Sequence, residues 1–567
     1  MDSYRHCICL GLFLFLHNLC DSRPQTSGLV EVEISDGHII GRQLESDQKV
    51  PYYAFQDIPY AKAPVGALRF QEPQPVERWD GILNTTANRK ICIQLDQVTN
   101  DPRETEDCLV LNVYTPVRPN GVQPPDSLPT LVWIHGGAFR RWSGAFDSFG
   151  PDYFIDQNVV VVTLNYRLGP LGFLATGDNV IPGNLGLKDQ HLALQWVKNN
   201  IGTFGGDPAK VTIMGQSAGA ASVGYHLMSK KSKGLFRAAI MHSSSPLTCW
   251  ALQKYPKYAA YQLGAKIFKE FDKNMSSAEF LKLLQGVPIE KIKANTGISM
   301  PAEMANCQLP TSIAWVPVTE DSNYENALVT GMNHENLKNG NINKVPLLIG
   351  INSQEVLLFI PNLVALIYLG IAFDINPSLM ITANLNMKEE NKPLAAAELK
   401  EVYTDSGFAS DIPALINFAS DALFATPVAR HAYLQSKFTD VFFYQFSHKG
   451  PLGQLNSTYQ GAEGVGHEEE LRYLFRDSQN ADISEFPEDD ILTHNRMVYM
   501  WSQFVKNMNP TAEENELTEG VAWPTVTEDR FSYLDINSSL VILEDPKKYK
   551  QWSVIIEKYA EKLLDTY

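Results

Sequence analysis

Apolar runs without polar alternation recur along the chain and predict buried strands. They occupy residues 130–136 (TLVWIHG), 158–167 (NVVVVTLNYR), 344–352 (KVPLLIGIN) and 440–447 (DVFFYQFS). Such runs are typical of strands that are covered on both faces of a sheet. A helix is predicted at 187–201, and another opens at Ala218 directly after the strand KVTIMG. Strands that alternate with helices predict an α/β fold with a mostly parallel sheet.

The remaining segments carry different patterns. Residues 29–44 (LVEVEISDGHIIGRQL) predict a hairpin with Asp36 and Gly37 at its turn. Long helical stretches between residues 250 and 440 are expected to insert above one end of the sheet. Residues 547–567 predict an amphipathic helix. No linker interrupts the chain, so we expect one catalytic domain over 23–567.

The N-terminal segment has the pattern of a secretory signal. The apolar run CICLGLFLFL follows the basic Arg5 and is too short to span a bilayer, which needs about 20 apolar residues. Cys20 and Ser22 occupy positions −3 and −1 of a possible cleavage site. We therefore predict a signal peptide over 1–22 and a secreted, extracellular protein. The alternative is a buried N-terminal helix.

Composition narrows the classes of partner. The 567 residues are 44% hydrophobic and 20% charged, which allows a large core and excludes global disorder. The formal net charge of −17 argues against nucleic acid or an anionic membrane as the main partner, because both attract clustered positive charge. The C-terminal segment lacks the hydrophobic tail that directs a lipid anchor, so we expect no membrane anchor.

Removal of the signal peptide leaves four cysteines, Cys92, Cys108, Cys249 and Cys307. An even number is typical of disulfides in an oxidising compartment. Cys92 and Cys108 enclose a short polar loop and are the obvious pair. Cys249 and Cys307 form either a second bridge or two buried thiols. Together with the signal peptide, four sequons predict a glycoprotein; they begin at Asn84, Asn274, Asn456 and Asn537.

The candidate chemistry begins at a G-x-S-x-G motif, residues 215–219 (GQSAG). The motif lies between a predicted strand and a predicted helix, the context in which a serine occupies a sharp, strained turn with its hydroxyl exposed. The flanking glycines leave room for the turn, and the helix N terminus adds a positive dipole and free N–H groups. We predict that Ser217 is a nucleophile. The alternative is a loop serine between chance glycines.

A serine hydroxyl needs a base to remove its proton. Six of the 12 histidines fall in the signal peptide or in predicted helices, whereas His467 lies in the loop-like GVGHEEEL after a buried strand. A carboxylate that orients this histidine is expected between Ser217 and His467 in the chain. Glu355 follows the strand VPLLIGI and fits that role. The alternative for Glu355 is an acid at a helix N terminus.

An acyl-transfer site also needs donors for an oxyanion. The sequence HGGAF, residues 135–139, follows a buried strand, and its small residues let backbone N–H groups point into a cavity. We predict an oxyanion hole from Gly137, Ala138 and Ala218, with Gly136 in the turn. The alternative is a plain Gly-Gly turn. This chemistry needs no metal and no organic cofactor.

These motifs occur in one order with FQDIPYAKAPVGALRF, EDCLVLNVYTP, NYRLGPLGFL, GNLGLKDQ and GINSQE. Over nearly its whole mature length the chain resembles the type-B carboxylesterase family, which includes cholinesterases and insect juvenile hormone esterases. The resemblance implies an α/β-hydrolase fold with helical insertions that form an active-site gorge, and a Ser217–Glu355–His467 triad. It also implies a Cys92–Cys108 disulfide and two structural ion pairs, Arg69–Glu106 and Arg167–Asp189.

Within that family the sequence departs from the cholinesterases. Their first disulfide loop carries a tryptophan that stacks on choline, a cation–π contact, whereas the loop from Cys92 to Cys108 has none. Gln216 before the serine resembles the motif of juvenile hormone esterases and of other insect esterases. So does the G-x-x-H-x-x-acid segment, in which the acid is Glu470. A choline ester specialist is therefore disfavoured.

Two segments bear on the substrate. Arg140, Arg141 and Trp142 either line the gorge entrance or form a solvated, charged cap of a helix. Residues 356–373 (VLLFIPNLVALIYLGIAF) are either a core helix or the wall of a hydrophobic pocket beside Glu355. A hydrophobic pocket would favour lipophilic esters.

The sequence thus predicts a secreted serine carboxylesterase that acts on lipophilic small-molecule esters, with juvenile hormone as the leading substrate. A general esterase for odorant, pheromone or xenobiotic esters is the first alternative. A triacylglycerol lipase and a non-catalytic, cholinesterase-like adhesion protein are further ones. We expect a monomer or a weak dimer.

Overall fold

The computed structural model describes residues 28–95, 101–119, 127–301, 304, 313–359, 363–453, 460–478, 482–561 and 563–567. The predicted signal peptide, Cys307 and the sequon at Asn456 lie outside these residues. The strands are β1 Leu29–Ile34, β2 Gly37–Glu45, β3 Pro51–Pro59, β4 Ile82–Asn84, β5 Ile91–Cys92, β6 Glu104–Thr105, β7 Val110–Thr115, β8 Leu128–Ile134, β9 Val160–Leu164, β10 Gly206–Gln216, β11 Ala238–His242, β12 Leu347–Asn352, β13 Val441–Phe446, β14 Ser532–Ile536 and β15 Leu540–Glu544.

One 13-stranded sheet runs through the described residues in the order β1-β2-β3-β7-β9-β8-β10-β11-β12-β13-β14-β15, with β4 beside β2. The pairs from β9–β8 to β13–β14 are parallel. The pairs from β1 to β9 at one edge and the β14–β15 pair at the other are antiparallel. The predicted mostly parallel sheet is therefore confirmed for its centre, and the mixed edges are an addition.

Helices cover the sheet and form the insertions. They are α1 Asp152–Ile155, α2 Gly169–Phe173, α3 Leu185–Asn200, α4 Ala218–Met228, α5 Pro256–Ile267, α6 Ser277–Gln285, α7 Ile289–Lys293, α8 Asn333–Lys338, α9 Leu363–Ile375, α10 Lys392–Tyr403, α11 Ile412–Ser420, α12 Thr426–Gln435, α13 Glu488–Asn507 and α14 Tyr549–Tyr559. Every residue of β9, β11 and β12 is buried. That burial on both faces explains why these strands carry no polar alternation.

The local predictions differ from the structure mainly at element ends. The predicted hairpin is present, but its two turn residues are Ser35 and Asp36, because Ile34 pairs directly with Gly37. The strands Val110–Thr115 and Ala238–His242 were not predicted from their sequences. Both strands are short and contain polar residues, so neither has a long apolar run.

The family resemblance implies one disulfide and two ion pairs, and all three are present in the structure. Cys92 and Cys108 form a disulfide. Arg69 donates to both oxygens of Glu106, and Arg167 donates to both oxygens of Asp189 at 2.7 and 2.8 Å. The Arg167–Asp189 pair is almost fully buried, so it ties the loop after β9 to α3. Cys249 is also disulfide-bonded.

The described sequons lie at the surface. Asn84 and Asn274 are exposed, and Asn537 is half-buried. Glycosylation requires an accessible asparagine, and these three residues are at least partly accessible. Their glycosylation stays a prediction.

Within the part of the chain that the structure describes, one continuous helical segment, Ile412–Gln435, is long and apolar enough to cross a membrane, and 78% of its most apolar window is buried in the protein. The segment joins α11 to α12 through a π-helical turn, Asp421–Ala425. Such turns occur frequently at functional sites. Here the turn carries Phe424 to the candidate active site.

Candidate active site

Ser217 occupies the corner between β10 and α4. Its φ of 56° and ψ of −123° lie outside the regions that non-glycine residues normally adopt. A Cβ on Gly219 would lie 2.0 Å from the carbonyl oxygen of Ile134, and one on Gly215 would lie 2.4 Å from Gly219. Both positions of the motif therefore require glycine. The backbone N–H of Ser217 donates to the His242 carbonyl at 2.9 Å, which anchors the strained residue to β11.

His467 and Glu355 meet beside this corner. The imidazole Nδ1 lies 2.6 Å from Glu355 Oε2, and neither side chain is exposed to solvent. The backbone N–H of His467 also donates to the Glu355 carbonyl at 3.2 Å. Glu355 begins the short 3₁₀ turn Glu355–Phe359 at the end of β12, where its other oxygen accepts from the Asn352 N–H at 2.7 Å. The carboxylate is thus held from both sides.

Burial alone would lower the pKa of His467. The charge of Glu355 and its hydrogen bond outweigh that effect, and Glu468 and Glu470 act in the same direction, so the pKa is raised above 6.5. The carboxylate therefore favours the imidazolium that a general base forms when it accepts a proton.

Gln216 makes an unexpected contact at the same histidine. Its Nε2 lies 3.1 Å from Nε2 of His467, and its side chain is fully buried. Among the described residues, no hydrogen bond joins the Ser217 hydroxyl to His467. The structure therefore brings the predicted serine, acid and histidine into one place, with Gln216 at the nitrogen that faces the serine corner.

The HGGAF turn lies against the corner on its other side. Gly137 and Ala138 have φ of 85° and 56°, so the chain turns sharply after β8. The N–H groups of Gly137, Ala138 and Ala218 have no hydrogen-bond acceptor among the described residues. They are available to an oxyanion, as the sequence predicts, but their role as an oxyanion hole stays a prediction.

A buried histidine stabilises this turn. His135 Nδ1 lies 3.0 Å from the Gly136 carbonyl oxygen, which can only accept, so Nδ1 carries the proton. Tyr166 stacks on the imidazole and donates to the His135 carbonyl at 2.8 Å. Burial lowers the pKa of His135 to about 3 and keeps the ring neutral. The turn is therefore rigid without adding charge beside the candidate oxyanion site.

Sequence reasoning missed Asn352 as a site residue. Its side-chain amide donates to Glu470 Oε2 at 2.5 Å and to the Gly466 carbonyl at 2.7 Å, and its backbone N–H donates to Glu355. One asparagine therefore fixes the candidate acid and the loop that carries His467. Asn352 lies inside the GINSQE stretch. Nothing in that stretch shows that this asparagine bonds to the candidate acid and to the histidine loop, because many strands end in an asparagine without such contacts.

His242 was missed for the same reason. Trp501 can only donate, so Nε2 of His242 accepts its N–H at 2.9 Å, and Nδ1 faces Tyr444 and Glu470. Burial would raise the pKa of Glu470, but the contacts to His242 and Asn352 outweigh it and lower that pKa. Glu470 is thus a second buried carboxylate near His467. Its partners, His242 and Asn352, come from two distant parts of the chain.

Aromatic side chains cover the candidate base. The rings of Phe424 and Phe359 lie 4.8 and 5.3 Å from the imidazole of His467. A cavity of about 370 Å³ opens beside the imidazole, and its walls include Trp142, Leu358 and His467 itself. The same walls carry the charged residues Asp147, Glu468, Glu469, Arg472 and Asp477.

The two ambiguous segments have mixed environments. Trp142 lines the cavity and Arg141 lies 3.9 Å from Glu468 on the cavity wall, whereas Arg140 is exposed. In the segment 356–373, Val356 and Leu357 are buried. Helix α9 buries only Leu366, Gly370 and Phe373 and exposes apolar side chains on its other side. The expectation of a core helix is therefore wrong for much of α9.

Within the described ranges, no group of three or more histidine, cysteine, aspartate or glutamate side chains is arranged to hold a metal ion.

Comparison with known proteins gives consistent results. Residues 29–553 match the model of the carboxylesterase family. Venom carboxylesterase-6 of Apis mellifera is 32% identical over 90% of this chain and 91% of that protein. Juvenile hormone esterase of Tribolium castaneum is 32% identical over 89% and 88%. The crystal structure of juvenile hormone esterase from Manduca sexta, with OTFP covalently attached, matches with a TM-score of 0.79 at 28% identity, over 94% of this chain and 100% of that one.

Proposed function

The chain belongs to the carboxylesterase family, and from this premise we propose that Ser217, Glu355 and His467 hydrolyse lipophilic carboxylic esters through an acyl-enzyme. The protein is a carboxylic-ester hydrolase with the α/β-hydrolase fold. The residues that perform the reaction and the preferred ester are the proposal. One observation carries it: a fully buried His467–Glu355 pair lies directly beside the strained serine corner.

In the first half of the reaction, His467 Nε2 accepts the proton of Ser217 as the serine oxygen attacks the ester carbonyl. Glu355 holds the proton on Nδ1, so the basic lone pair points away from the carboxylate and toward the serine corner. The negative charge that develops on the carbonyl oxygen is stabilised by the N–H groups of Gly137, Ala138 and Ala218.

The second half uses the same groups. The imidazolium of His467 protonates the departing alkoxide, and the alcohol leaves. Water then attacks the acyl group on Ser217 with His467 again as the base, which releases the acid and restores the serine. Every proton that His467 accepts is returned within the cycle, so the reaction needs neither a metal nor a redox partner.

The surroundings of the base support a lipophilic substrate. Phe359 and Phe424 cover His467, and Trp142 and Leu358 line the neighbouring cavity. The aromatic rings beside the base offer the apolar contacts that are typical of sites for hydrophobic small molecules, while the cavity wall itself is mixed polar and apolar. Because juvenile hormone esterases are among the relatives and Gln216 matches their serine motif, juvenile hormone is our leading substrate.

A general esterase for odorant, pheromone or xenobiotic esters is the second candidate. It is supported by the equal similarity to a venom carboxylesterase, which is 32% identical, as is the beetle juvenile hormone esterase. The two candidates share the same reaction. They differ only in which ester has the highest kcat/KM.

We also propose that the protein is extracellular. The pattern of residues 1–22, the Cys92–Cys108 disulfide and the similarity to a venom enzyme support secretion. Mass spectrometry of the secreted protein tests the cleavage after residue 22 and the occupancy of the sequons. Sedimentation tests the expected monomer or weak dimer.

The test compares wild type with Ser217→Ala on juvenile hormone and on short acetate esters. We expect organophosphate-sensitive hydrolysis that Ser217→Ala lowers by roughly 10⁴- to 10⁶-fold, and a higher kcat/KM for the hormone than for the acetates. Full activity in Ser217→Ala would overturn the mechanism. An equal or lower kcat/KM for the hormone would favour the general esterase.

Labelling by a fluorophosphonate probe separates an enzyme from an adhesion protein, because only an activated serine reacts. Comparison of soluble esters with emulsions separates an esterase from a triacylglycerol lipase.

A further inference from the structure

The proposed function requires His467 to accept a proton from Ser217 at Nε2. In the structure this nitrogen instead contacts the amide of Gln216. Because Glu355 accepts the Nδ1 proton, Nε2 of neutral His467 carries a lone pair and must accept its hydrogen bond. The donor is the amide of Gln216 at 3.1 Å and not the hydroxyl of Ser217. For catalysis the serine has to take that place.

The side chain of Gln216 is held between the two halves of the site. It ends β10, is fully buried and contacts His467 through its nitrogen. Its oxygen has no hydrogen-bond partner among the described residues and lies 2.8 Å from where a Cβ of Gly136 would be. A buried carbonyl oxygen without a partner is unfavourable, so the residue retains an unused acceptor next to the reacting atoms.

We propose that Gln216 is a positioning residue for His467 in both of its protonation states. This inference rests on the proposed function. In the free enzyme the amide N–H of Gln216 donates to the neutral imidazole. When substrate binds, the hydroxyl of Ser217 displaces the amide from Nε2.

The proton then moves from the Ser217 oxygen to Nε2 of His467 while the bond from that oxygen to the carbonyl carbon forms. The imidazolium has an N–H at both nitrogens. Rotation of the Gln216 amide by half a turn brings its unused oxygen toward the Nε2–H, where it accepts beside the ester oxygen until the proton is transferred to the departing alkoxide. Gln216 itself makes and breaks only hydrogen bonds.

An amide suits this role because it contains both a donor and an acceptor. A hydrogen bond to a charged donor is roughly twice as strong as one between neutral groups. Gln216 therefore stabilises the imidazolium more than the neutral ring, and it accelerates the reaction although it binds the resting base. A carboxylate at this position would stabilise the imidazolium alone, and a methionine would stabilise neither state.

The experiment measures kcat/KM against pH on a short acetate ester for wild type, Gln216→Met and Gln216→Glu. Organophosphate titration counts the active sites of each preparation, so that a folding defect does not enter the rates. We expect Gln216→Met to move the acid limb to lower pH and to reduce the plateau roughly tenfold. We expect Gln216→Glu to move the limb to higher pH by about 1 unit or more.

The direction of the shift in Gln216→Met is decisive. If Gln216 served only as a fixed donor to the neutral ring, its loss would move the limb to higher pH and overturn the proposal. The proposal would also be overturned if the acid limb of kcat/KM stayed in place in both Gln216→Met and Gln216→Glu. A wild-type protein that hydrolyses no ester would instead overturn the proposed function.

Gln190 provides a matched control. It is a fully buried glutamine whose side-chain oxygen lies 3.1 Å from Nε2 of His226, away from the serine corner. We expect Gln190→Glu to leave the acid limb in place. A limb that moved as far as in Gln216→Glu would mean that any buried carboxylate produces the shift, and the proposal would fail.

Discussion

Two histidines of this protein have nearly the same surroundings and opposite properties. His467 and His226 are both fully buried, and each has a glutamine side-chain atom 3.1 Å from Nε2. The atom is the amide nitrogen of Gln216 at His467 and the side-chain oxygen of Gln190 at His226. Burial and a glutamine at Nε2 are therefore common to the candidate base and to a structural histidine, although the first glutamine donates to its ring and the second accepts from its ring.

The difference between the pKa values of the two rings arises at the other ring nitrogen, Nδ1. Nδ1 of His226 contacts the hydroxyl of Ser232 at 3.0 Å, whereas Nδ1 of His467 contacts the carboxylate of Glu355 at 2.6 Å. Burial lowers the pKa of His226 to about 3, and the same burial at His467 is outweighed by Glu355, so its pKa is raised. The carboxylate of Glu355 is thus the largest of the contributions that turn a buried imidazole into a usable base, and Glu468 and Glu470 add to it.

Replacement of each histidine by alanine gives the largest contrast. We expect His467→Ala to lower kcat/KM by roughly 10⁴- to 10⁶-fold with a small change in the free energy of unfolding. His226→Ala removes one partner of the Ser232 hydroxyl, leaves the side-chain oxygen of Gln190 unpaired and opens a buried cavity, so we expect it to cost roughly 2–4 kcal/mol of stability. Its kcat/KM per folded molecule should remain near that of wild type. Ester hydrolysis and denaturant unfolding measure the two effects.

This contrast fails if His226→Ala, corrected for its folded fraction by active-site titration, loses as much activity as His467→Ala. Burial beside a glutamine would then be the functional feature that both histidines share. Glu355 would no longer explain why only one of them acts as the base.

The sequence predicts the local parts of this site well. The corner at Ser217 depends on glycines two residues away, and a strand and helix flank it, so contiguous residues contain the information. The helix predicted at 187–201 and the helix predicted to open at Ala218 correspond to α3 and α4, respectively. The central parallel strands follow from their apolar runs in the same way.

Contacts between distant segments were not predictable in that way. Gln216 and His467 are 251 positions apart, and Asn352 and Glu470 are 118 apart. Each residue has an ordinary local context, and only the fold decides what its side chain contacts. Helix α9 illustrates the converse case: its composition predicts burial, yet Tyr368 and Ile375 are 71% and 80% exposed, because the helix packs through one narrow face.

Glu355→Gln should give Nδ1 of His467 a neutral partner, as at His226, while Glu468 and Glu470 remain nearby. We expect kcat/KM to fall by roughly 10³- to 10⁴-fold, because the amide no longer stabilises the imidazolium. The pKa of His467 should fall, so the acid limb of the residual activity moves to lower pH. Glu355→Asp retains the charge and should keep the limb near its wild-type position. A limb that stays in place in Glu355→Gln would show that another group raises the pKa.

The smallest effect concerns the pH dependence of stability, and the two histidines should differ in its sign. Because the folded pKa of His226 is below 6.5, its contribution is present above pH 6.5 and is lost as pH falls toward 3, at up to about 1.4 kcal/mol per pH unit. Glutamine does not titrate, so the stability deficit of His226→Gln relative to wild type should shrink by roughly 2 kcal/mol between pH 6.5 and 4.5.

The folded pKa of His467 is raised, so its contribution is present below pH 6.5 and is lost as pH rises through that pKa. The deficit of His467→Gln should therefore grow as pH falls toward 6.5. Denaturant midpoints across pH measure both deficits, and equal signs would mean that the carboxylate of Glu355 does not separate these histidines.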